Sequence, residues 1–144
     1  MLRLEPITPD NWWEPLRVRE DQRHYVAQGA GLLARAYAYR ERRSEARQIV
    51  ADGVPVGMVL WHDWPEGRCY ILSQLYIDQR YQGRGYAREA SMLVLEAMRK
   101  DGRYSRCELC YVAGDELARR LYESLGFQPT GDDDDDEIVM ALTL

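Results

Sequence analysis

One junction constrains the fold of this chain more than any other stretch. The apolar run Cys69 to Ile77 reads as a strand, and it passes through Gln82-Gly83-Arg84-Gly85-Tyr86-Ala87 into a long helical pattern. Tyr86, Ala90, Leu93, Val94 and Ala97 fall at i, i+4, i+7, i+8 and i+11, one apolar stripe, while Arg88, Glu89, Glu96 and Arg99 take the wet side. Two glycines spaced two apart at a helix start let several backbone N–H groups converge where the helix dipole is positive. A phosphate or pyrophosphate is the natural occupant of such a turn. The bland alternative is that Gly83 and Gly85 simply permit a tight turn with positive φ. A dinucleotide fingerprint would need its third glycine at Arg88, and the Lys-Ser/Thr that closes a Walker loop is absent, so both of those sites are set aside.

The rest of the chain supplies a sheet for this junction. Leu2 to Ile7 reads as a short strand, and Thr8-Pro9 as the N-cap and first-turn proline of a helix that Pro15 ends or kinks. A second helix is expected over Gly31 to Arg42, with Leu33, Ala36 and Tyr37 on one stripe and arginines opposite. Asp52-Gly53 joins Gln48–Ala51 to Val54–Trp61 as a hairpin, and Pro65-Glu66-Gly67 turns the chain into the Cys69 strand. Beyond the long helix, Tyr104 to Val112 reads as a strand. Asp115 to Leu125 reads as a helix with Leu117, Ala118, Leu121 and Leu125 inward and Gly126 to stop it. Phe127 onward and the alternation Ile138, Met140, Leu142, Leu144 close the chain as strands. Antiparallel hairpins followed by strand-helix-strand-helix predict a mixed α/β sheet in a single domain, residues 1–144.

Composition narrows the function. The 144 residues, 46% hydrophobic, suffice for one core, and 19 Lys+Arg against 24 Asp+Glu leave a net charge of −5. That balance argues against nucleic acid as a partner and suits a cation better. No uninterrupted stretch approaches the ~18 apolar residues that span a bilayer, and Met1 to Pro6 lacks a signal-like core, so a cytoplasmic protein off the membrane is expected. Cys107 and Cys110, three apart on a strand, leave opposite faces, and His24 and His62 are distant in sequence, so no metal centre is expected. Asp132 to Asp136 reads as a solvated turn, with long-range steering of a polycation as the functional alternative. Of the adjacent Trp12 and Trp13, one is expected in the core and the other at a pocket wall or a dimer surface.

The Gln82 to Ala87 run resembles the acetyl-CoA pyrophosphate signature of the GCN5-related N-acetyltransferase family, Gln/Arg-x-x-Gly-x-Gly/Ala. The resemblance extends to Leu75-Tyr76-Ile77-Asp78 before it and to Ala118-Arg119-Arg120-Leu121-Tyr122-Glu123-Ser124-Leu125-Gly126-Phe127, which looks like that family's Ala-x-x-Leu-Tyr-x-x-x-Gly-Phe element. Roughly Val54 to Leu144 is covered. Tyr76 to Gly85 and Gly126 to Gly131 are most similar to bacterial diamine or spermidine/spermine acetyltransferases. The implied fold is a mixed, mostly antiparallel central sheet flanked by helices, with a splayed central strand pair.

The resemblance also implies roles. Leu75, Tyr76 and Ile77 would offer backbone groups to the pantetheine arm, the amides of Gly83, Arg84, Gly85, Tyr86 and Ala87 would hold the pyrophosphate, and Arg84 and Arg88 would add charge. Tyr122 would protonate the departing thiolate, since a phenol with a pKa near 10 is a competent donor; core packing is its alternative. Asp115 stands where the family usually has Asn, so a contact to the CoA tail and a plain helix N-cap remain open. The general base is open among Glu108, Glu66, Asp63 and His62, and a Cys110 acyl-enzyme is disfavoured for want of a neighbouring His in the sequence. The implied activity is direct acetyl transfer from acetyl-CoA to a primary amine of a small molecule, with a polyamine or diamine preferred. An aminoglycoside or a protein amino group is the alternative acceptor, a non-catalytic CoA-binding regulatory module is the alternative of another class, and a homodimer is the family-level expectation.

Overall fold

Asp52 and Gly53, at φ of 50° and 80°, make the tight turn that folds β2 (Glu45–Ala51) onto β3 (Val54–Trp64). A short 3₁₀ turn, Pro65–Gly67, leads β3 into β4 (Cys69–Ile77), and β1 (Leu2–Pro6) pairs with the outer edge of β2. The computed structural model describes residues 1–144 and continues through α2 (Tyr86–Asp101), β5 (Arg106–Val112), α3 (Glu116–Ser124), β6 (Gln128–Pro129) and β7 (Glu137–Thr143). The seven strands form one sheet in the order β1-β2-β3-β4-β5-β7-β6. Every neighbouring pair is antiparallel except β4 and β5, which meet only through Tyr70 with Cys107 and Ile71 with Glu108. This is the expected mixed, mostly antiparallel sheet with a splayed central pair. No helix is long and apolar enough to cross a membrane.

The splay begins where β4 bulges. Leu60 of β3 faces Gln74 and Trp61 faces Leu72, so Ser73 is an extra residue and the side chains beyond it change face. Tyr70 and Leu72 before the bulge, and Ile77 after it, enter a core with Ala90, Val94, Leu95 and Met98 of α2. Tyr76 enters the opposite cluster with Met58, Leu60, Leu32 and the strap residues Leu16 and Val18. The bulge thus redirects β4 from β5 and leaves one edge of Leu75 to Ile77 without a strand partner.

The first fifty residues correct several expectations. No helix follows Thr8-Pro9: the Asn11 side chain accepts from Thr8 N and donates to the Pro6 carbonyl, and Thr8 Oγ1 accepts from Asp10 N, so local side-chain bonds hold a turn instead. Trp12 and Trp13 on this turn are both exposed, so neither enters the core. The second helix, α1, spans Ala30–Ala38; a separate 3₁₀ turn takes Arg40–Arg42. Leu32 carries its core contact and Tyr37 points outward. In α3, Leu117 is likewise outward at 59% exposure, and Tyr122 is the buried residue. Asp132 to Asp136 lie in the turn before β7, where Asp134 and Glu137 exchange backbone bonds.

Candidate functional site

Below the splay lies a cavity of about 290 Å³. It collects Leu75, Tyr76 and Ile77 from β4, Gln82, Gly83, Gly85, Tyr86, Ala87 and Arg88 from the β4–α2 junction, and Asp115 and Tyr122 from α3. Arg84 stands outside this lining, exposed, with its guanidinium carbon 5.6 Å from the centroid of the Tyr81 ring. Gly83 and Gly85 sit at φ of 81° and 82°, and a Cβ on either would meet nothing within 4 Å. Glycine is therefore required there by backbone dihedral rather than by crowding. The first amide to find a helical carbonyl is that of Glu89, on Gly85 at 3.1 Å, which leaves the preceding amides of the turn free to donate at the N-terminus of a 16-residue helix.

Two side chains hold this turn against the N-terminal strap. Asp78, 1% exposed, accepts from Arg17 N at 2.9 Å, Arg80 N at 2.9 Å and Arg80 Nε at 2.8 Å. Burial alone would raise its pKa, but the Arg80 and backbone bonds outweigh it and hold the carboxyl below its ordinary value. Gln82 donates to the Ile77 carbonyl at 3.0 Å and to Gln22 Oε1 at 2.9 Å, and accepts back from Gln22 Nε2 at 3.3 Å. Gln82 thus braces the turn with its side chain while lining the cavity.

Tyr122 is buried edge-on against Phe127, with ring centroids 5.8 Å apart. Its hydroxyl makes no hydrogen bond within the chain and stays open to the cavity. Burial pushes its pKa well above 10, with Asp115 and the thiols of Cys107 and Cys110 adding to the rise. Asp115 is half-buried and caps α3 by accepting from Ala118 N at 3.2 Å; burial raises its pKa. It caps the helix and lines the cavity at once, so its two expected roles are compatible.

The four general-base candidates all lie off this cavity. Asp63 is buried in ion pairs with Arg43 at 2.6 Å and Arg103 at 3.4 Å. His62 holds Nδ1 2.7 Å from the Asp63 carbonyl and stacks on Tyr39, and burial lowers its pKa. Glu66 pairs with Arg42 and Glu108 with Arg106. Asp63, His62 and Glu108 sit on other parts of the sheet, and Glu66 in the exposed turn after β3. Cys107 and Cys110 do leave opposite faces, one buried and the other exposed.

A second, polar cavity of about 190 Å³ lies across Tyr122 from the first and shares Leu75, Asp115, Ala118 and Tyr122 with it. Arg35, Ser73, Gln74, Cys110 and Glu137 line it. Although the residue is exposed, local desolvation of its sulfur, with the neighbouring Glu137 carboxylate, raises the Cys110 thiol to about 11, so it is no activated nucleophile. The sequence pattern placed Arg35 on a wet helix face and Glu137 in a solvated run. No motif spacing unites them, because they come from three distant segments together with Ser73. Tyr25, which borders both cavities, lies in a stretch with no clear pattern.

Comparison with known proteins gives the family and the fold. Residues 7–127 match the Acetyltransferase (GNAT) family. N-acetylaspartate synthetase of Rattus norvegicus is 37% identical over 86 residues, covering 59% of this chain and 28% of that protein. The chain therefore spans under a third of that relative's length. Apo FdhC, a nucleotide-linked sugar GNAT, aligns at a TM-score of 0.76 and 19% identity over 99% of this chain and 86% of that one. A GNAT family acetyltransferase from Elizabethkingia anophelis with acetyl-CoA bound aligns at 0.71 and 12% identity over 99% and 98%.

Proposed function

From its membership of the Acetyltransferase (GNAT) family, to which this chain belongs, we propose that it transfers an acetyl group from acetyl-CoA to a primary amine of a small molecule. One observation carries the reading: a single opening between β4 and β5 has an amide-rich turn at one end and the unpartnered Tyr122 hydroxyl where two cavities meet.

The residues suit the donor. The free edge of β4 from Leu75 to Ile77 accepts a pantetheine arm as it would an added strand. Amides from Gly83 to Ala87 hold the pyrophosphate, with charge from Arg88 and, from outside the lining, Arg84. Acetyl-CoA, when bound, supplies an activated acetyl carbon and a thiolate leaving group. The amine enters from the second cavity, sheds one proton to solvent water and, as the free base, forms the C–N bond. Tyr122, kept protonated by burial, gives its proton to the sulfur as the C–S bond breaks, and the proton shed by the nitrogen restores the phenol.

A polyamine acceptor, the finer expectation, draws support from the net charge of −5 and from the acidic turn that leads into Glu137. Arg35 in the same cavity counts against a purely cationic acceptor. The named relatives differ in what their names say they act on, an N-acetylaspartate synthetase and a nucleotide-linked sugar GNAT, so membership alone leaves the acceptor open.

A thiol-release assay with acetyl-CoA against spermidine, spermine, putrescine, an aminoglycoside, a lysine peptide and free amino acids tests the proposal. Turnover with any of these amines is expected. Acetyl-CoA binding without thiol release would favour a non-catalytic CoA-binding module.

A further inference from the structure

We propose that the acceptor is an amine that also carries a carboxylate, an amino acid or close analogue, with Arg35 receiving the carboxylate and Glu137 the amine. The inference rests on the acetyltransferase reading above and names the acceptor class for that site.

The second cavity puts one cation, Arg35, and two carboxylates, Asp115 and Glu137, on its wall; Asp115 is engaged by the Ala118 amide, while Arg35 and Glu137, both exposed, do not pair. Elsewhere the chain couples such groups readily: Arg43 to Asp63 at 2.6 Å, Arg106 to Glu108 at 2.9 Å, Arg119 to Glu123 at 3.0 Å. Arg35 and Glu137 form no ion pair with each other or with any other group, although both line this 190 Å³ space. Both also lie near Cys110. Glu137 Oε2 is 3.6 Å from its Sγ, and of the charges acting on that thiol, after the dominant effect of burial, Glu137 raises the pKa and Arg35 lowers it.

Opposite charges held apart across a small space match a ligand with opposite charges held apart. A guanidinium offers a planar fork that grips a carboxylate by two parallel bonds, which an ammonium ligand cannot exploit. A polyamine would bring only positive charge against Arg35. A simple monoamine, an ammonium at neutral pH, would answer Glu137 and leave Arg35 unanswered. A zwitterion satisfies both, and binding on the Glu137 side presents its nitrogen near Tyr122, which borders the same cavity. Ser73 is there because of the β4 bulge, so the same irregularity that opens the donor site also adds a hydroxyl to the acceptor wall.

The test is thiol release with matched pairs: each common amino acid against the amine formed by its decarboxylation, for example L-ornithine against putrescine and L-alanine against ethylamine. At least one amino acid is expected to exceed its partner in kcat/KM by about tenfold or more, the scale of a charge-assisted bidentate contact. Arg35→Gln should remove that preference by raising KM for the amino acid while the Kd for acetyl-CoA stays unchanged, and Arg35→Lys should restore part of it. Decarboxylated amines, an aminoglycoside or a lysine peptide serving equally well or better would overturn the inference and leave acetyl transfer standing. A preference indifferent to Arg35→Gln would do the same. No thiol release with any amine, despite measured acetyl-CoA binding, would overturn the acetyltransferase reading together with it.

Discussion

The buried carboxylate of Asp78 accepts the backbone amide of Arg17 at 2.9 Å, joining residues sixty-one apart in the chain. The same carboxylate takes the amide and Nε of Arg80. One side chain therefore locks the N-terminal strap onto the base of the turn that leads into α2. The floor of the donor site is built by this contact as much as by the glycines.

Asp78 gives the first prediction. Asp78→Ala should leave the Arg17 and Arg80 amides without their acceptor and cost about 2–4 kcal/mol in denaturant unfolding, and Asp78→Asn should cost less because one acceptor oxygen remains. The native carboxyl has a depressed pKa, so its stabilising effect is present above the unfolded value near ~3.9 and is lost as pH falls below it toward the folded value. Unfolding free energy measured from pH ~7 down to ~3 should fall more steeply in the native protein than in Asp78→Asn. Parallel curves would remove the carboxylate from the account.

Gly85→Ala should separate the pyrophosphate contact from the rest of the donor site. A Cβ at φ of 82° costs about 1–2 kcal/mol in backbone strain and shifts the amides of the turn. Calorimetric affinity for CoA should drop by about tenfold or more, while affinity for pantetheine, which lacks the pyrophosphate, should change little. Equal losses for both ligands would place the pyrophosphate elsewhere.

Asp63 and His62 should prove structural. Asp63→Asn should lower stability by about 2–4 kcal/mol, since Arg103 loses its anion and Arg43 keeps only Asp101, yet leave the pH dependence of kcat/KM in place. His62→Gln should likewise keep the pH profile. Loss of the acidic limb in either variant would restore that residue as a general base.

What the sequence made legible was local. The Asp52-Gly53 hairpin turn, the glycine pair before α2 and the apolar stripe of that helix are each written in consecutive residues, and the structure places them as read. The bulge at Ser73 is not, because the strand looks regular until its pairing with β3 is known, and the change of face at Gln74 and Leu75 follows only from that pairing. Arg35 and Glu137 carry no motif, so only the folded sheet brings them together. The turn after Thr8 read as a helix because its cap residues are equally good at making side-chain turns, and Asn11 decided the contest. The core place expected for one of Trp12 and Trp13 was lost with that helix, while Leu117 turned outward to face the donor cavity instead of the core.

The most direct test of the account is Tyr122→Phe assayed by steady-state thiol release alongside acetyl-CoA titration. The hydroxyl has no partner in the chain, so the variant should keep its thermal stability and its acetyl-CoA affinity while kcat falls by about tenfold or more, the loss of a proton donor used only as the C–S bond breaks. An unchanged kcat would contradict the account and return Tyr122 to the core as packing.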